Sequence, residues 1–137
     1  MTEALRLGVR YCRAHILVTV VGEVDIATVG LLRECLAGLA RRALPLIIDL
    51  DEVTFMDATG LGALVGAARR AAAHGASLHV VCARPQTRML VQLAGLEGRL
   101  GLCHTRAEAI AALPATRISP RKDRGRVPAR SALAQPA

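Results

Sequence analysis

The segment from Ile47 to Ala68, IIDLDEVTFMDATGLGALVGAA, sets four of the chain's eleven carboxylates beside hydroxyls and a run of glycines. It holds the carboxylates of Asp49, Asp51, Glu52 and Asp57, the hydroxyls of Thr54 and Thr59, and glycines at 60, 62 and 66. General acid–base or nucleophilic catalysis would need a His, Lys or Cys placed to work with those acids, and the segment contains none. Turn and capping roles account for the acids, so no catalytic residue is assigned and no enzymatic activity is expected.

Glycines between a strand and a helix can also cradle a dinucleotide. Three features oppose that use. The fingerprint belongs to the first strand-to-helix turn of a domain, whereas two strands and a helix precede it here. Leu50, taken as the end of the strand, lies well before Gly60. No Asp or Glu occurs between Asp57 and Glu97 to hold ribose hydroxyls, although Arg84 could meet a 2′-phosphate. A phosphate-binding P-loop is excluded because no Gly-Lys-Ser/Thr follows. No cofactor is expected.

The remaining use is a helix N-terminus displayed at a strand end, with Asp57 and Thr59 as candidate caps and glycines that let another backbone approach. Its unsatisfied N–H groups favour a nearby anion by up to about 1 kcal/mol. A phosphorylated hydroxyl there would suit the helix while adding a charge of roughly −2 and bulk to any docked surface. Such a device switches a protein partner.

The elements that must position this terminus follow from patterning. Leu5 to Arg13 and Ile16 to Gly22 are short, β-branched and joined by a tight polar link, which predicts an antiparallel hairpin. Val29, Leu32, Leu36, Leu39 and Ala40 recur at helical spacing within Ala27 to Arg42, and Pro45 follows. Leu46 to Leu50 reads as a buried strand. Leu61, Leu64, Val65, Ala68 and Ala72 predict the next helix, ended near Gly75. A strand over Ser77 to Ala83, a helix over Pro85 to Leu93, a final strand over Leu100 to His104 and a helix over Thr105 to Leu113 complete the chain. Thr105 and Glu108 form a capping box there. The fold class is therefore α/β, a single domain with a mixed, mostly parallel sheet, an N-terminal hairpin and about four helices. The domain occupies residues 1–113, and residues 114–137 form a basic, disordered tail.

Composition narrows the partners. The 137 residues fit one domain, and Tyr11 and Phe55 are the aromatics of an otherwise aliphatic chain, which excludes a single-strand nucleic-acid binder built on stacking. From Pro114 onward six basic residues stand against Asp123, so the tail carries +5 of the formal +7. Seventeen of the eighteen basic residues are Arg, a skew that GC-rich coding produces, and nucleic acid is not an expected partner. Cys12, Cys35, Cys82 and Cys103 lack metal or redox spacing and read as small core residues in a reducing compartment. The scattered His15, His74, His79 and His104 are read as strand-edge or surface residues. No apolar run approaches the roughly 18 residues needed to span a bilayer, and the N-terminus shows no export pattern, so a cytoplasmic location without membrane insertion is expected.

At V-T-F-M-D-A-T-G-L-G-A-L-V-G (residues 53–66) the chain resembles the signature of the STAS domain family, the anti-sigma factor antagonists, in which an apolar pair precedes Asp-Ser-Ser/Thr-Gly-Leu-Gly. Gly22-Glu23-Val24-Asp25 resembles the family's Gly-Glu-Leu-Asp, and Leu93-Ala94-Gly95-Leu96 its later Ser-Gly-Leu turn. The resemblance covers about Leu5 to Leu113. It implies a regulator that binds an anti-sigma factor, a serine kinase of the histidine-kinase-like ATPase type, and frees a sigma factor. The kinase phosphorylates the serine after the motif aspartate, and a phosphatase reverses it. It further implies a protein-binding face at Asp25, Met56, Asp57, Ala58, Thr59, Gly60 and Leu61. The acceptor position here is Ala58, which has no hydroxyl. Either the protein is an antagonist that its kinase cannot switch off, or Thr59 takes over as the phosphorylated residue, its other role being a helix cap. A STAS scaffold subunit of a stress-sensing or lipid-transport complex is the alternative function, and a nucleotide-binding module the third.

Overall fold

The computed structural model describes residues 5–114. The expected tail, apart from Pro114, lies outside the described residues. Nine residues rich in valine, ILVTVVGEV, form β2 (Ile16–Val24) inside the sheet. On one side β1 (Arg6–Tyr11) pairs with it antiparallel, the hairpin closing through the Cys12 amide, which donates to the His15 carbonyl at 2.9 Å. On the other side β3 (Leu46–Met56) and then β4 (Leu78–Val81) run parallel to it, giving the order β1-β2-β3-β4. The predicted hairpin and mixed sheet are both present.

Four helices flank the sheet: α1 (Val29–Ala40), α2 (Ala58–Ala73), α3 (Pro85–Leu93) and α4 (Arg106–Ala111). Val18, Val20, Ile48 and Leu50 face Leu32 and Leu36 of α1 and Leu61 and Leu64 of α2, all within one core. Alternation in the strands sends Leu17, Ile47 and Val81 to the opposite face, where Ala109 of α4 covers them. Arg106 anchors α4 there, its Nε 2.6 Å from Oδ2 of the buried Asp49. The buried stripe of α2 is Leu61, Ala63, Leu64, Ala67 and Ala71, displaced from the predicted one; Val65 and Ala68 are half-buried and Ala72 exposed. Alanines on every side of this helix leave its hydrophobic period nearly degenerate.

Two expectations are corrected. The strand predicted to end at Leu50 runs on to Met56. Its acids are accommodated by bulges, where three positions on β2 (Thr19 to Val21) face four on β3 (Asp49 to Glu52). There the Asp49 carboxylate accepts the Asp51 amide at 2.9 Å and the Asp51 carboxylate accepts the Ala83 amide at 2.8 Å, so the side chains satisfy backbone donors. The strand expected over Leu100 to His104 is reduced to one parallel bridge between Cys103 and Val81. Gly101, at φ 53°, turns the chain between the two points where it meets β4, so no continuous ladder forms.

The capping of α4 departs from the expected box in one respect. Thr105 accepts the Glu108 amide at 3.1 Å as predicted, but the Glu108 carboxylate reaches back to the amide of His104, one residue before the cap. Burial pushes the thiols of Cys35, Cys82 and Cys103 up, which keeps them protonated in their apolar settings. Among the described residues no helix is long and apolar enough to cross a membrane.

Candidate functional site

Val24 and Met56 are register partners at the ends of parallel strands, and the Asp57 amide donates to the Val24 carbonyl. Asp25 and Asp57 therefore leave the sheet side by side, one entering α1 and the other α2. Parallel strands present their carboxyl ends together, which is where open α/β sheets gather their binding loops.

Each aspartate is engaged by its own turn. Asp57 is the N-cap of α2: its Oδ1 accepts the Thr59 amide at 3.0 Å and the Thr59 hydroxyl at 2.5 Å. Thr59, expected as an alternative cap, is the second helical residue and serves as the partner of the true cap. Asp25 accepts the amides of Ala27 and Thr28 at 3.0 and 3.1 Å, while the Thr28 hydroxyl donates to the Glu23 carbonyl at 2.8 Å. These bonds shape the approach to α1, whose N-cap Thr28 makes no side-chain capping bond of its own.

The hydroxyl of Thr59 holds the Asp57 carboxyl below the usual carboxylate range. A folded value depressed in this way gives stability that is present above the unfolded value and is lost as pH falls through the folded one. Asparagine caps as well as aspartate but does not titrate over that range. Asp57→Asn is therefore expected to lose less stability than the native protein between about pH 5 and pH 2, read from paired urea melts. Equal pH slopes for the two proteins would remove the carboxylate from this balance.

The seven residues of the expected binding face divide by burial. Ala58 is exposed at the first position of α2, and Asp25, Asp57 and Thr59 are half-buried. Met56, Gly60 and Leu61 belong to the core and support the terminus from beneath. A Cβ on Gly60 would fall 2.7 Å from Met56 Cγ and 2.9 Å from Val24 Cγ1, so this glycine lets the helix seat on its own strand ends. Two residues that patterning overlooked flank the same edge, Ile26 at 79% exposure and Phe55 at 49%. Only Ile26 carried a signal in the sequence, as a large apolar side chain between Asp25 and Ala27; Phe55, beside Met56 in β3, did not.

This geometry also revises the argument about a dinucleotide turn. Only Asp57 separates β3 from α2, so the distance from strand to glycines is no objection. The objection that stands is conformational, because Gly60, Gly62 and Gly66 all lie within α2 and none has a positive φ. They form a helix surface and not a loop of converging amides. Among the described residues no three His, Cys, Asp or Glu side chains converge to hold a metal ion.

Comparison with known proteins agrees with this architecture. The model of the STAS domain matches residues 10–109. An anti-sigma-B factor antagonist of Bacillus subtilis is 32% identical over 93 residues, covering 68% of this chain and 85% of that protein. The crystal structure of an anti-sigma factor antagonist from Mycobacterium paratuberculosis superposes with a TM-score of 0.76 at 25% identity, over 82% of this chain and 98% of the other. The anti-sigma factor antagonist SpoIIAA in its unphosphorylated form gives a TM-score of 0.64, also at 25% identity, over 78% and 93%. A family match that runs from the end of β1 into α4, with the aspartate-capped terminus of α2 inside it, means that this chain belongs to the STAS domain family.

Proposed function

We propose that the protein is an anti-sigma factor antagonist that docks an anti-sigma factor of the ATP-binding serine-kinase type over the N-terminus of α2. Docking there frees the sigma factor that the partner had sequestered. The relatives support the first half of this reading, since those described above are named for antagonism of anti-sigma factors. The half specific to this chain rests on one observation: an exposed methyl group, Ala58, occupies the first position of α2 where the resemblance places a phosphorylated serine. With no hydroxyl there, the kinase has no acceptor at the usual site, and the antagonist stays in its binding form.

Thr59 is a poor substitute in this reading. Its hydroxyl already donates to the Asp57 carboxylate, and a phosphoryl group on it would set a dianion against that charge. Asp25, Ile26 and Phe55 complete the proposed face, the two apolar side chains supplying area and Asp25 a polar rim.

Intact-mass measurement after incubation with the host's anti-sigma kinases and ATP, with complex formation followed in the same samples, tests the reading. A stable complex without added mass is the expected result. One phosphate mapped to Thr59, with loss of the complex, would show a switch displaced by one residue. No complex with any such kinase would favour a scaffold role, which the missing acceptor at residue 58 also accommodates.

A further inference from the structure

At the opposite end of α2 from Ala58, the helix, the start of β4 and the 98–101 turn border an open surface groove of about 520 Å³. Small-molecule sites span roughly 300–1,000 Å³. Ala68, Ala72, Ala76 and Leu78 supply apolar lining, while Arg69 from α2 and Arg99 from the turn, both exposed, add two basic residues to its border. Neither arginine forms an ion pair among the described residues, and no Asp or Glu lines the groove.

His79 also lines the groove and is held in one orientation. Its Nε2 lies 3.2 Å from the Ser77 hydroxyl, and the Gly101 backbone packs so closely that a Cβ there would fall 2.8 Å from Nδ1. Burial lowers the pKa of this imidazole, so at neutral pH it acts as a hydrogen-bonding group and not as a third fixed charge.

We propose that this groove binds a small organic phosphate. Guanidinium forks match phosphoryl oxygens in geometry and charge, and two of them on different elements suit a dianion. The alanines leave room for a short carbon body, and the Ser77–His79 pair offers it a polar contact. Ala58 and Arg69 are eleven residues apart, about 16 Å along the helix axis. Ligand and protein partner can therefore be held together, with α2 as their common element.

The test is a ¹⁵N-resolved NMR titration of the full chain with glycerol 3-phosphate and with inorganic phosphate, at constant ionic strength against sodium chloride. Saturable shifts at residues 68–79 and 98–101 are expected, with glycerol 3-phosphate at least threefold tighter. R69Q/R99Q is expected to weaken binding at least tenfold, and Ala72→Met, which fills the groove and leaves both arginines in place, is expected to weaken it as well. Shifts no larger than those from chloride, shifts confined to arginines 117–130, or binding unchanged in both variants would overturn the proposal. Equal affinity for the two probes would overturn the organic body in favour of free phosphate.

Discussion

Replacing Ala58 with glutamate is expected to weaken the complex with the anti-sigma partner at least tenfold, about 1.4 kcal/mol or more, while leaving the protein as stable as before or slightly more so. The two effects have opposite signs because they arise at different places. Residue 58 is the first helical position of α2, where a carboxylate meets the positive end of the helix dipole and contributes about 0.3–1 kcal/mol. The same carboxylate projects from an exposed position into the surface that a partner must cover, and a charge buried there without a counter-ion is costly. Chemical denaturation and a binding isotherm on the same preparation separate the two. Ala58→Ser is the companion variant: it is expected to bind like the native protein, to gain one phosphate when kinase and ATP are present, and then to release its partner. Native-like binding by Ala58→Glu would place the docking surface elsewhere on the domain.

Much of this arrangement is legible in the chain because several signals coincide. In β2 the β-branched run, the hairpin link before it and the Gly-Glu-Val-Asp exit all point to one strand, and it forms where expected. The helix over 29–40 is equally clear, since Leu32, Leu36 and Leu39 occupy one face with no competing apolar period. β3 was legible only to Leu50, because Asp51 and Glu52 read as a turn. What rescues the acids of β3 is tertiary: a bulge, the Ala83 amide and the Arg106 guanidinium, none of them local in sequence. The final strand failed for the reverse reason, its apolar residues marking burial of Leu100 without a continuous ladder. At the candidate site Asp57 was legible as a cap because an acid followed by a small residue and a threonine is a helix start. Which of the surrounding residues face solvent was not, since Met56 and Phe55 are adjacent and comparable in size while their burial is set by strand alternation and a bulge.

The glycines of α2 should respond to alanine with opposite signs, and that contrast distinguishes a packed helix from a ligand-binding loop. Gly66 lies inside the helix, and the only group near an added Cβ is the Arg70 guanidinium at 3.8 Å, the free end of a flexible side chain. Gly66→Ala is therefore expected to stabilise the protein by about 0.5–1 kcal/mol, the usual gain in backbone entropy and helix propensity. At Gly60 the same methyl meets Met56 Cγ and Val24 Cγ1 at distances that no Cβ tolerates. Methionine can yield, but valine at a strand end is stiff at χ1, so part of the strain passes to the helix. Overpacking of this kind costs roughly 1–3 kcal/mol, and at the third helical position the propensity gain offsets little of it. Gly60→Ala is expected to lower stability by about 1–2 kcal/mol and, by lifting the first turn of α2 off Val24, to weaken partner binding more than that loss alone would. Thermal unfolding of the two variants beside the native protein reads the sign directly, since 1 kcal/mol moves the midpoint of a domain this size by roughly 4–8 °C. If both alanines stabilised the protein, α2 would not be seated on Val24 and Met56 as described, and the first turn that presents Ala58 would have to be supported in some other way.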